Sequence, residues 1–135
     1  MAHKTNVWNS TEFSRHRRRV LLAKEPDLMI ALNCYQPGAQ NELHYHEGTS
    51  QSFLVLKGAC TVRTMKDGVL SEHTCSQGDS ILIPGGEYYQ MHNETDEPVV
   101  LYQVKKPADR IVVYGKEKMS NKDYFTKERE EKKVL

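Results

Sequence analysis

Between Leu28 and Val113 the apolar residues fall in short runs or alternate with polar ones, and each run is stopped by Gly, Pro, Asn or Asp. Alternation turns successive side chains to opposite faces, so each run makes a strand with one buried face. Many short strands separated by turn signals make a barrel or a sandwich. The pattern predicts an all-β domain with strands at about 18–23, 28–35, 42–46, 51–57, 59–65, 70–75, 80–83, 88–93, 98–105 and 110–114. Gln36-Pro37-Gly38, Lys66-Asp67-Gly68, Gln77-Gly78-Asp79 and Pro84-Gly85-Gly86 supply the turns between them, and Lys66-Asp67-Gly68 is a hairpin signal.

Composition narrows the class. A chain of 135 residues is one domain's worth and can bury a core without disulfide or metal staples. With 38% apolar and 27% charged residues it is polar but able to pack a globule. A net charge of +1 lacks the basic excess that phosphate backbones require, which argues against a nucleic-acid partner. The start carries no apolar run of a signal peptide and no stretch reaches membrane-spanning length, so a soluble cytoplasmic protein is expected. Cys34, Cys60 and Cys75 are odd in number and have no CxxC spacing, which reads as buried reduced thiols.

Two charged segments flank the patterned region. Arg15, Arg17, Arg18 and Arg19 face Glu12, Glu25 and Asp27 in sequence and read first as a solvated strand edge, with an anion site as the alternative. The Lys- and Glu-rich tail around Tyr124-Phe125 reads as a C-terminal helix or an arm. The expected organisation is a barrel over 1–115 followed by a charged tail over 116–135.

Candidate chemistry begins after Gly38. His44 and His46 lie two apart, so a strand projects both imidazoles from one face, the arrangement that aims two nitrogen ligands at one point. Gln51 follows after a tight turn around Gly48, and its amide oxygen is a candidate third ligand. The run Gly38-x5-His44-x-His46-x4-Gln51-x6-Gly58 resembles the first motif of the cupins, and Gly78-x5-Pro84-x-Gly86-x2-Tyr89-x3-Asn93 resembles the second. In the family pattern Glu stands in place of Gln51 and His in place of Tyr89.

The resemblance implies a double-stranded β-helix, or jelly-roll, barrel of a small single-domain cupin, often homodimeric. It also implies a divalent transition metal, held in the family by three His and one Glu: iron, manganese, nickel or zinc. Here the implied ligands are His44, His46, Gln51 and Tyr89. A pair of hydrogen-bonded histidines without metal is the alternative. Loss of the carboxylate lowers metal affinity unless another anion replaces it, either Tyr89 as a phenolate or Glu42, two residues before His44. His92 is a ligand only if a bulge turns it inward, because it lies an odd number of residues from Tyr89 and the run Asn93 to Pro98 fixes the register.

Phe53, Val55 and Met91 share parity with Gln51 and Tyr89 and are expected to line the same cavity as an apolar wall for a small organic ligand. Two functions follow. One is a metal-dependent enzyme on a small organic molecule, an oxygenase, isomerase or lyase, with Tyr89 as a catalytic base. The other is a non-catalytic barrel that binds a small ligand or a partner. Val20, Leu21 and Leu22 are expected to add the first strand to a partner's sheet in a homodimer.

Overall fold

The computed structural model describes residues 1–108, together with the backbone of 112–114. A single turn of helix, α1 (Val7–Ser10), opens the chain, capped by Asn6, whose side chain accepts from the amides of Trp8 and Asn9. Ten strands follow: β1 (Arg17–Glu25), β2 (Leu28–Tyr35), β3 (His44–His46), β4 (Ser50–Lys57), β5 (Ala59–Lys66), β6 (Val69–Ser76), β7 (Ser80–Ile83), β8 (Tyr88–His92), β9 (Val99–Lys106) and β10 (Val112–Tyr114). They form two five-stranded antiparallel sheets, ordered β1-β2-β9-β4-β7 and β10-β3-β8-β5-β6. The expected all-β architecture is therefore present, and the four-residue α1 is its one helix among the described residues. The charged tail predicted at 116–135 lies outside the described residues.

Both sheets turn their apolar parity inward. Tyr35, Phe53, Val55, Ile83, Val99 and Leu101 from one sheet meet Cys60, Val62, Cys75, Tyr89 and Met91 from the other in one core. The reverse face of the first sheet carries a second cluster, in which Leu22, Leu32, Cys34 and Val100 gather Val7 and Val20. Val20 and Leu22 thus pack within their own chain. Leu21, 56% exposed on edge strand β1, is the apolar residue of that trio that faces outward.

The turns explain the glycine spacing. Gly58 joins β4 to β5 at φ +83, and a Cβ there would stand 2.5 Å from the carbonyl oxygen of Pro98, so both backbone conformation and space demand glycine. Asn93 acts as a fixed buried pin. Its Nδ2 donates to the carbonyl of Glu97 at 2.8 Å and to that of Tyr35 at 3.2 Å, while its Oδ1 accepts from the amide of Thr95 at 3.0 Å. That pin sets the register of β8, which in turn sets the site.

Candidate functional site

The site forms where β3, β8, β4 and β9 present inward residues to one another. Strand β3 is only three residues long, and its pairing with β8 is the single register pair His44↔Tyr89. Asn41 secures the segment before it by accepting the Met91 amide on Oδ1 at 2.7 Å and the Gln90 side chain on its carbonyl at 3.1 Å. His44, His46, Gln51 and Tyr89 are all buried, at 0%, 3%, 2% and 2% exposure. The His44 ring lies 4.4 Å from that of Tyr89 and 5.0 Å from that of His46, and Tyr89 lies 6.3 Å from His46 and 5.8 Å from Phe53. Strand parity thus brings together the four residues singled out in the sequence.

Hydrogen bonds fix the chemistry of each. His44 Nδ1 is 2.6 Å from the carbonyl oxygen of Glu42, an acceptor that holds the proton on Nδ1 and leaves Nε2 as the lone-pair nitrogen. His46 Nε2 is buried and has no hydrogen-bond partner among the described residues. Gln51 Oε1 accepts from Gln103 Nε2 at 2.7 Å, and Gln103 Oε1 accepts in turn from Asn33 Nδ2 at 2.8 Å. Gln51 also lowers the Tyr89 phenol against the upward push of burial, the sense expected of an amide NH2 group facing the hydroxyl. Asn33, Gln103 and Gln51 thus form a row of three linked amides that runs toward the site.

Burial dominates the titration of this cluster. It pushes His44 and His46 down to about 3, with smaller contributions in the same direction from Lys105 on both, from Arg17 on His44, and from His44 and Arg19 on His46. The Glu42 carbonyl works against this at His44, by more than Arg17 or Lys105 adds to it. Burial also pushes the Tyr89 phenol upward, and the Gln51 donor offsets only part of that. At neutral pH the site is two neutral imidazoles and a protonated phenol. A phenolate or a phenol base would need the opposite shift.

The donors present do not fit a centre of three histidines and one carboxylate. Neutral imidazoles suit a divalent ion. The Gln51 oxygen, however, is engaged by Gln103, and among the described residues no three His, Cys, Asp or Glu side chains gather as a ligand set. Glu42 is buried but does not complete one. His92 packs elsewhere: its Nδ1 pairs with Glu94 Oε2 at 3.0 Å, beside Arg63, which also reaches Glu72 and Glu94. No bulge interrupts the pairing of β8 with β5, so His92 stays on the face opposite Tyr89.

A narrow pocket of about 30 Å³ opens onto His46 and Tyr89. Phe53 and Met91 border it, and Val55 packs deeper in the core. Sequence reasoning missed its polar wall. Arg17 and Arg19 from β1, Gln103 and Lys105 from β9, and Asn33 from β2 line the same space. The signal was parity: Arg17 and Arg19 alternate with Arg18, which pairs with Glu12 at 2.8 Å, and Gln103 and Lys105 share a face with Leu101. The basic cluster is therefore split between pocket and solvent.

The fold and site together define a sandwich with a polar interior, and the sequence matches the cupin domain over residues 31–105. This covers more than half of the chain, which belongs to the cupin-domain family. Similar solved structures include TT1209 from Thermus thermophilus, with TM-score 0.72, 20% identity, and coverage of 78% of this chain and 98% of that one. A conserved protein with a double-stranded β-helix domain from Klebsiella pneumoniae gives TM-score 0.74 at 16% identity, covering 87% of this chain and all (100%) of that one. An oxalate oxidase in complex with glycolate gives 0.70 at 14% identity, covering 82% and 62%. At these identities the likeness is one of fold. No curated protein matches the chain by sequence. Among the described residues no helix is long and apolar enough to cross a membrane.

Proposed function

We propose that this cupin binds a small organic molecule between its sheets, with His46 accepting and Tyr89 donating hydrogen bonds to it. The observation that carries this reading is the His46 Nε2 atom, buried at the pocket without a hydrogen-bond partner among the described residues. A buried polar atom left unmatched costs about 1–3 kcal/mol, a cost that a ligand hydroxyl would remove. Phe53 and Met91 supply an apolar wall for the carbon body of such a ligand.

Binding suits the site better than acid–base turnover. A catalytic acid or base works best with a pKa near the working pH, whereas His46 is held at about 3 and the Tyr89 phenol is shifted upward. A screen of small organic fragments by ligand-observed NMR tests the reading. Hits should be lost in His46→Ala and weakened in Tyr89→Phe, and hits that survive both substitutions contradict it.

A second reading is a divalent metal held by His44 and His46, with Gln51 and Tyr89 as further ligands. It is favoured by the Glu42 carbonyl on His44 Nδ1, since an outer acceptor of this kind orients a ligating imidazole. It requires the Gln51 amide to turn over and give up Gln103. In that case the interior would serve the metal-dependent oxygenase, isomerase or lyase chemistry that the family resemblance implies. Metal content after purification separates the two readings.

A further inference from the structure

Two thiols in the core lie directly across from each other. Cys60 on β5 pairs in register with Cys75 on β6, and both are buried, reduced and packed in the core cluster shared by the two sheets. Opposite residues of an antiparallel pair have Cα atoms about 4.5 or 5.5 Å apart, and both spacings fall within the range of about 4.4–6.8 Å that a disulfide bridges. After burial, Cys75 is the next influence that raises the Cys60 thiol, to about 12, as expected of sulfurs that lie close together. Cys34 stands apart from them, in the apolar cluster on the reverse face of the first sheet.

Strand β6 gives this pair a role. Of its eight residues only Cys75 is buried, and among the described residues the strand pairs with β5 alone, at the end of its sheet. Backbone bonds to one neighbour and one small side chain therefore hold it. An edge element with so few buried contacts opens locally at low cost. Each opening brings Cys75 to solvent beside the turn at Gly78, while Cys60 stays on β5, inside the sheet.

We infer that Cys60 and Cys75 are a disulfide-forming site that fastens β6 to β5 when the protein meets a low-molecular-weight disulfide. Cys75 leads, because it sits on the strand that opens. Its thiolate attacks one sulfur of the oxidant, and the other sulfur leaves as a thiolate. The Cys60 thiolate then attacks Cys75 Sγ and expels the remaining half of the oxidant. The oxidant takes up the two electrons that the pair gives up, and the two protons of the cysteines end on the departing thiolates. Burial raises both cysteine thiols, so the reaction is slow at neutral pH and quickens as thiolate forms. The covalent link supplies the anchor that β6 lacks in apolar side chains.

The test is incubation of the folded full-length protein with glutathione disulfide. The expected product is a single chain lighter by two hydrogen atoms, with one of its three thiols still titratable in denaturant and a peptide map that joins Cys60 to Cys75. Its rate of formation should rise about tenfold from about pH 7.5 to about pH 8.5. Amide hydrogen exchange along Val69–Ser76 should slow by at least about tenfold in the oxidised protein and return on reduction. Cys60→Ala should stop at a glutathione adduct on Cys75, and Cys34→Ala should form the link as the parent does. The peptide map and exchange rates of the unsubstituted protein decide even where a variant fails to fold. Three thiols left after prolonged exposure, or a lasting glutathione adduct in the unsubstituted protein, would overturn the inference. So would a bridge that includes Cys34 or joins two chains, or a link that leaves exchange along β6 unchanged.

Discussion

Gln103 donates to Gln51 Oε1 at 2.7 Å, and this one bond decides what Gln51 shows to the site. That bond occupies one lone pair of the Gln51 oxygen, and the influence of Gln51 on Tyr89 has the sense of a donor facing the phenol rather than an acceptor facing a metal.

A carboxylate at that position would accept from Gln103 and Tyr89 together and still present lone pairs to the imidazoles. Gln51→Glu should therefore convert the site into one that retains a divalent transition metal near one ion per chain, while the parent protein retains far less. Elemental analysis of the two proteins prepared side by side checks this. Equal metal in both would mean that Gln51 already ligates through its oxygen. Adding His44→Ala or His46→Ala to Gln51→Glu should abolish the gain.

Tyr89→Phe keeps the ring in the core but removes the buried hydroxyl on which Gln51 acts. The expected cost is about 1–3 kcal/mol of stability, with the β-sheet content unchanged. Urea unfolding measures it. A variant as stable as the parent would show that the amide row does not depend on the phenol.

Acid should unfold this protein through its two interior histidines. Both are held at about 3 in the fold, against about 6.5 when free, so between those values the unfolded chain binds more protons than the folded one. The stability they contribute is complete above about pH 6.5 and is lost as pH falls toward 3, at up to about 1.4 kcal/mol per pH unit for each imidazole. Urea unfolding from pH 4 to 7 should show this slope, and a His44→Asn, His46→Gln double variant should show a shallower one. Identical slopes would mean that the imidazoles are solvated.

Much of this was legible from the chain alone, for a physical reason. Strand parity has a period of two, so His44, His46, Gln51 and Tyr89 could be placed on inward faces before any coordinates, and His92 on the opposite one. The turn at Asn93 fixed that choice through bonds from its side chain to backbone groups that lie close in sequence. Contacts across the sheets were not legible. Gln103 reaches Gln51 over 52 positions, and Asn33 reaches Gln103 over 70, distances that local pattern does not encode. The arginines at the start looked like a solvated edge because their charge was counted without their alternation. The short helix α1 fell below the length that periodicity can reveal.

Among the described residues strand β1 lies at a sheet edge with Leu21 exposed, an arrangement that favours addition of a second copy along that edge. Light scattering at micromolar concentration should give a dimer mass, and Leu21→Lys should shift it to a monomer. A monomer mass for the unmodified protein would contradict this.

Ligand binding at His46 is read most directly from the long-range ¹H–¹⁵N spectrum of histidine-labelled protein, recorded as purified and again with the tightest-binding fragment. His46 Nε2 should be unprotonated and free of metal as purified. Adding the fragment should shift it as it accepts a hydrogen bond, and Tyr89→Phe should weaken the complex. A metal-coordinated Nε2 signal in the purified protein, or a bound fragment that leaves His46 untouched, would contradict it.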